Sequence, residues 1–404
     1  MPMRLFTLAG LLLLMACNPD KLEPKYIPPA FQAEISSQKL ANSDWTYRKL
    51  PFSGDGDLLD FAFLNESQGG VIMQYQDINY IWITQDGGLS WQLLSGTEQI
   101  KFLDIHAFEN GELLLSGQHN TGVGPCAPGP YQWRSSDGGL SWSTTEYEDF
   151  DRYFDLMFKR DGSGFRKDFD IVPNNKNLCL GGYGGSNIKL KQSLDYGKSW
   201  LELGGCGWLR DTSSTSDPSN GDCQYNSNAS MSIQLFPQQS EPIFAYGDTW
   251  VQDPDFKKVQ AWLVKSSLTS GFVPFHLFGG MSPANNRYFW QGNKVFVQDE
   301  NANLQHISED NGKTWTATNY PEAAGGIWHP SPGSQQIIAT DGNQFCVDEQ
   351  GDFSFSCYNL PANERFAPIP KSFKFRDWDY QKVEIIHPNS LWTVVDGGLV
   401  YLSR

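Results

Sequence analysis

The sequence predicts an all-β chain, a seven-bladed β-propeller of four-stranded antiparallel blades with an N-terminal strand closing the last blade. Three observations carry this prediction. A polar string recurs in near-identical form at 84–91 ("TQDGGLSW"), 135–142 ("SSDGGLSW"), 193–200 ("SLDYGKSW") and 308–315 ("SEDNGKTW"). Past residue 44, short runs of β-branched and aromatic residues alternate with Gly, Asn, Asp and Pro, and no stretch carries apolar residues at helical spacing. The final unit, "KVEIIHPNSLWTVVDGGLVYLSR", has room for three strands, while "SDWTYRKLPF" at 43–52 offers a spare one.

Taken in order, the chain opens with Arg4 and a short apolar stretch, residues 1–16. The stretch is too short to span a bilayer and reads as a secretory signal. Leu14-Met15-Ala16-Cys17 resembles the bacterial lipobox, which implies cleavage before Cys17 and lipidation of that residue. An ordinary signal peptide ending in Cys is the alternative. Asn18, in place of Asp, implies sorting to the outer membrane in a Gram-negative cell. Residues 17–43 are Pro-rich and charged and read as a tether, leaving 44–404 as the folded body. The expected location is the bacterial cell envelope, on its periplasmic or surface face, with membrane contact through the lipid anchor only.

Aligning the body on the Asp-Gly strings divides it into units near 57–97, 102–147, 153–205, 230–280, 286–321 and 325–361, with a short unit at the end. The clearest has strands at Leu103–Phe108, Glu112–Gln118, Tyr131–Ser135 and Ser141–Tyr147. The third reads "FDLMF", "KNLCLGGYGG", "NIKLKQS" and "SWLELG". Four-stranded repeats of about 40–50 residues point to a propeller. A strand borrowed from the N-terminus closes the ring and removes the exposed seam. Six or eight blades are the alternatives, because the fourth, sixth and seventh units lack a full turn motif.

The repeated string is chemically self-sufficient. Its Asp and Ser can accept backbone N–H groups, its Gly can take positive φ, and its Trp leads the next strand into a neighbouring sheet. Thr84/Asp86/Gly88/Trp91, Ser135/Asp137/Gly139/Trp142, Ser193/Asp195/Gly197/Trp200 and Ser308/Asp310/Gly312/Trp315 resemble the Asp-box, or bacterial neuraminidase repeat. That motif is found in sialidases, sortilin, some xyloglucanases and photosystem II assembly factors. Ser267-x-Thr269-x-Gly271 keeps the spacing without the Asp and Trp. The resemblance implies a turn between the third and fourth strands of a blade, away from any active site. It therefore assigns Asp86, Asp137, Asp195, Asp310, Trp91, Trp142, Trp200 and Trp315 to structure.

Six cysteines follow Cys17, an even number that suits disulfides in an exported chain and allows 15 pairings. Cys346 and Cys357 flank a hairpin-like segment and are expected to bridge across it. Cys206–Cys223 would close a polar loop, leaving Cys126–Cys179. No His or Cys spacing suggests zinc, and no cofactor motif is present.

The formal charge of −16 repels phosphate backbones and excludes nucleic acid as a partner. A sialidase-like site needs an arginine cluster and a first-blade Arg-Ile-Pro signature, but the first unit reads "LLDFAFLN". Arg210 and Arg287 are the arginines that could face a central site, with surface solvation as the alternative. A two-carboxylate glycoside hydrolase leaves little sequence trace, and its candidate acids are Asp60, Asp104, Asp155 and Glu384. Asp55, Asp57 and Asp60 lack EF-hand spacing and read as a solvated turn. No G-x-S-x-G supports a serine nucleophile.

Long insertions at 119–130, 181–187, 204–228 and 247–260 fall on the blade face that the repeated turns do not occupy. They bring Tyr183, Trp208, Tyr225 and Trp250 beside Asn and Asp side chains. Aromatic faces with such neighbours suit sugar stacking or gripping a protein segment. The expected function is an envelope-anchored binding or scaffold module for protein or glycan, with a carbohydrate-active hydrolase as the alternative.

Overall fold

The computed structural model describes residues 29–32, 34–53, 56–75, 78–95, 100–119, 130–146, 152–158, 160–171, 186–205, 233–236, 243–250, 259–267, 271–276, 286–291, 294–299, 305–310, 313–318, 327–330, 336–350, 354–367 and 382–404. All regular structure among them is β. No helix among the described residues is long and apolar enough to cross a membrane.

Two strands, β1 (Ser36–Lys39) and β2 (Thr46–Pro51), precede the repeating units. The first sheet holds β3 (Asp57–Phe63), β4 (Gly69–Tyr75), β5 (Ile78–Thr84) and β6 (Gln92–Leu93). The second holds β7 (Ile100–Ala107), β8 (Leu113–His119), β9 (Pro130–Ser135) and β10 (Ser143–Glu146). The third is β11 (Arg152–Phe158), β12 (Gly164–Ile171), β13 (Ser186–Ser193) and β14 (Leu201–Gly205). The fourth is β15 (Ile233–Phe236), β16 (Ile243–Trp250), β17 (Val259–Ser267) and β18 (Gly271–His276). The fifth is β19 (Asn286–Gln291), β20 (Lys294–Asp299), β21 (Gln305–Ser308) and β22 (Thr316–Thr318). The sixth is β23 (Ile327–Pro330), β24 (Ile337–Asp341), β25 (Gln344–Asp348) and β26 (Ser356–Asn359). The last sheet joins β27 (Val383–His387), β28 (Ser390–Val395) and β29 (Gly398–Ser403) to β2 and β1.

The described residues thus form seven antiparallel sheets, each strand of a unit pairing with the next in sequence. β2 pairs with β29 from Thr46↔Ser403 to Pro51↔Gly398, so the two ends of the chain share one sheet. Among the described residues, several consecutive sheets pack face to face. Ala62, Ile72 and Ile83 of the first meet Phe102, Ile105 and Leu115 of the second, and Leu114 of the second meets Leu156 of the third. Ile307 of the fifth packs on Ile337 of the sixth, and Phe345 of the sixth packs on Tyr47 and Leu402 of the last. The last sheet also packs on the first: Leu50, Trp392 and Tyr401 bury against Phe61, Phe63 and Val71. Phe63 and Trp392 stack there with centroids 3.9 Å apart. Sheets stacked this way form a β-propeller.

Three expectations change. The tether does not extend to residue 43: β1 adds a fifth strand to the last sheet, and Ala30 and Phe31 are buried between the last and first sheets. Phe31 bridges Phe52 and stacks on Trp91 at 4.5 Å, covering the edge that the two-residue β6 leaves open. The second strand of the third unit is β12 and not 176–185, which lies outside the described residues. An Asp161-Gly162-Ser163 turn decides it: Asp161 accepts the Ser163 N–H at 2.8 Å and Gly162 sits at φ +86, so β11 folds straight back into β12. Trp250 lies outside the loop it was expected to join. It ends β16, opposite Val259.

Cys346 and Cys357 lie directly opposite one another in β25 and β26 and are joined by a disulfide. Cys126, Cys179, Cys206 and Cys223 lie outside the described residues, as do Cys17 and the signal segment.

Candidate functional site

The repeated turns are built as their sequence dictates. In the first, Thr84 Oγ1 donates to Asp86 Oδ1 at 2.9 Å and accepts the Gly88 N–H at 2.8 Å. Asp86 also accepts the Ser90 N–H and hydroxyl, at 2.8 and 2.6 Å. Asp137, Asp195 and Asp310 make the same contacts to Ser141, Ser199 and Thr314. The indoles of Trp91 and Trp142 donate to the Gly88 and Gly139 carbonyls at 3.0 and 2.9 Å. Hydroxyl and N–H donation from Ser141 and Thr314 holds the Asp137 and Asp310 carboxyls at about 2. Burial pushes Asp86 and Asp195 up, yet the hydrogen bonds from Ser90 and Ser199 keep both below the usual range. A carboxylate so held is a poor proton acceptor, and these four acids are structural. The hydroxyl before each Trp completes the turn. It was visible in the strings as Ser or Thr, and the eight-residue pattern overlooked it.

The candidate catalytic acids stand on the innermost strands. The ladders slip at one place in three successive sheets, between Leu58 and Asp60, Phe102 and Asp104, and Tyr153 and Asp155. Each Asp therefore follows a bulge, a device that re-aims a side chain. Asp60 Oδ2 accepts the Ile105 N–H of the second sheet at 2.9 Å. Its other oxygen meets Lys382 Nζ at 2.7 Å, and Lys382 also donates to the Phe61 carbonyl. Asp104 Oδ2 lies 3.5 Å from the Ser116 hydroxyl in its own sheet. The side chain of Asp155 lies outside the described residues.

Glu384 repeats the Asp60 arrangement from the last sheet. Its Oε2 accepts the Phe63 N–H at 3.0 Å and its Oε1 meets Arg160 Nη1 at 3.3 Å. Arg160 comes from the β11–β12 turn and donates to the Phe63 and Leu64 carbonyls at 2.7 and 2.8 Å. Burial raises the Glu384 carboxyl above its ordinary value, although Lys382 and Arg160 pull the other way. Asp60 and Glu384 are thus each held by one cation and one backbone N–H of the next sheet. The arrangement stitches the last, first, second and third sheets together at their inner strands. Sequence reasoning overlooked Lys382 and Arg160, which carry no motif. Arg287 lies on β19, and Arg210 lies outside the described residues. No group of three metal-ligating side chains occurs among the described residues.

The opposite end of the sheets is set by topology. Segments 120–129, 172–185 and 251–258 join second to third strands, and 206–232 joins the third sheet to the fourth. All four attach at the end away from the repeated turns. Tyr183, Trp208 and Tyr225 fall in these segments, outside the described residues. Trp250 reaches the same end on β16, with its side chain outside the described residues.

No protein-family profile matches the chain, and no curated protein matches it. Among solved structures it is similar to YCF48 bound to D1 peptide, at 12% identity and TM-score 0.47, over 91% of this chain and 99% of that one. It is similar to virginiamycin B lyase from Staphylococcus aureus with quinupristin, at 10% identity and TM-score 0.44, over 89% of this chain and 100% of that one. An ancestral GH74 enzyme aligns at 13% identity and TM-score 0.45, over 93% of this chain and 52% of that one. These similarities carry no argument about function; the propeller rests on the sheets.

Proposed function

We propose that this chain is a seven-bladed Asp-box propeller, lipid-anchored through Cys17 in the bacterial envelope, that binds protein or glycan. The binding end is the one reached by Tyr183, Trp208, Tyr225 and Trp250. One observation carries the choice of binder over hydrolase: Asp60 and Glu384 are each neutralised by a cation and tied to the backbone of the next sheet. A glycosidase needs one carboxyl to give a proton and another to act as base or nucleophile, and freeing either acid would break a contact between sheets. Disulfides at Cys206–Cys223 and Cys126–Cys179 would hold the long segments in place and lower the ordering cost of binding.

A glycan array and a peptide array, each read with wild type and with Trp208→Ala and Trp250→Ala, test the binding end. A ligand whose signal is lost in both variants supports it, and ligands indifferent to both sink it. Turnover of a glycan panel that disappears in Asp60→Asn or Glu384→Gln while the fold persists would instead establish the hydrolase. Labelling of growing cells with an alkyne fatty acid should tag the protein, and Cys17→Ser should abolish the tag.

A further inference from the structure

We propose that the lipid anchor turns the loop end of the propeller, the end away from the repeated turns, toward the bilayer, so that the binding end takes a ligand borne by the same membrane. The inference rests on the anchor at Cys17 proposed above and adds a direction to it. That direction comes from the path of the first described residues. β1 runs from Ser36, opposite Lys49, to Lys39, opposite Thr46, and Thr46 is itself opposite Ser403 at the turn end. Each step back along the chain from Lys39 therefore leads toward the loop end.

Backbone contacts fix the exit. Gln32 donates its N–H to the Pro51 carbonyl at 2.8 Å, and Ser53 donates to Ala30 at 3.2 Å. Phe52, between them, donates to Gly397 of the β28–β29 hairpin at 2.9 Å. The Tyr75 hydroxyl lies 3.4 Å from both the Pro29 and the Ser53 carbonyls. Tyr75 ends β4 and Gly397 precedes β29, and a hairpin between second and third strands sits at the end opposite the repeated turns. The Phe31 ring reaches across to Trp91, but the backbone two residues earlier is already beside Tyr75.

Length sets how firmly this exit orients the body. Twelve residues separate Cys17 from Pro29, a reach of at most about 40 Å, and about 20 Å on average for a flexible chain. The eight-residue β13 spans about 25 Å from one end of its blade to the other. Setting the turn end on the bilayer would make the tether run back along the wall for more than its average length. Leu89, Leu140, Leu194 and Leu201, exposed at the turn end, thus face away from the lipid. Segments 120–129, 172–185, 206–232 and 251–258 attach at the lipid-facing end. A ligand they meet is one presented within about 40 Å of the bilayer.

Energy transfer from a dye on the protein to acceptor-labelled headgroups tests the proposal, with the full-length lipidated chain bound to phosphatidylcholine vesicles. The dye is carried on an azido side chain introduced at Asn343, in the β24–β25 hairpin of the loop end, or at Leu140 of the turn end, both exposed. Transfer from Asn343 should exceed transfer from Leu140 roughly threefold or more, given a blade about 25 Å tall. Inserting about thirty Gly/Ser residues after Lys25 should narrow the difference, because the longer tether spans the wall freely. Equal transfer from the two sites, greater transfer from Leu140, or a difference untouched by the insertion would overturn the proposal. A chain that floats with vesicles no better than Cys17→Ser would overturn the anchor itself, and the orientation with it.

Discussion

Arg160 Nη1 lies 3.3 Å from Glu384 Oε1, across 224 residues of sequence, and ties a turn of the third sheet to the innermost strand of the last. Both side chains are largely buried, 13% and 12% exposed. Removing one partner from a buried pair leaves the other charge uncompensated. Arg160→Ala should therefore cost about 3 kcal/mol, read from urea unfolding. Glu384→Gln should cost less, because Arg160 keeps the Phe63 and Leu64 carbonyls. Equal losses in the two variants would show that the cation is not the element that matters.

The same carboxyl gives a pH signature. Burial raises Glu384 above its ordinary 4.5, so the native state binds this proton more firmly than the unfolded chain does. Its contribution is present below 4.5 and lost as pH rises through the folded value. Relative to Glu384→Gln, wild type should thus lose stability from pH 4.5 upward. Asp137 and Asp310 run the other way: held to about 2, they stabilise above 3.8, and that contribution is lost as pH falls toward 2. Urea midpoints across the two ranges separate the effects. A constant difference between wild type and variant above pH 4.5 would contradict a raised Glu384.

Gly139 has φ +98, and a Cβ there would lie 2.6 Å from Ile83 Cγ2 in the first sheet. Gly139→Ala should destabilise by about 2–3 kcal/mol through strain and overpacking, seen as a lower denaturant midpoint. Gly111, at φ +84 with no atom within 4 Å, is the control. It should lose less, because only the backbone strain applies.

Phe31 is 5% exposed against Trp91 and Phe52. Phe31→Ala should cost about 3 kcal/mol. Limited proteolysis of the wild type should spare 36–39, where β1 is paired with β2. A cut at 36–43 without loss of stability would restore the longer tether.

Reduction of Cys346–Cys357, which spans 11 residues, should cost about 2–3 kcal/mol. The Cys346→Ser/Cys357→Ser double variant should show the same loss under oxidising conditions, as judged by thermal unfolding. Sensitivity of that variant to reductant would reveal the contribution of another bridge.

Local chemistry was legible in the sequence. The turns at Asp86, Asp137, Asp195 and Asp310 satisfy themselves within eight residues, so their strings alone announce the structure they make. The Cys346–Cys357 bridge was legible for the same reason, as the two ends of one hairpin. The place of β12 was misread because the Asp161-Gly162 turn has the same kind of signal but none of the repeated string.

By itself, then, the sequence determined the fold class, the four-strand rhythm and the structural role of the repeated acids, because each depends on neighbours within a few residues. Only the tertiary structure decided the role of Asp60 and Glu384. Their partners Lys382, Ile105, Arg160 and Phe63 come from other sheets, and in three of the four contacts from more than two hundred residues away. A carboxylate's chemistry follows from the charge and the N–H groups around it, and for these two the folded sheets supply both.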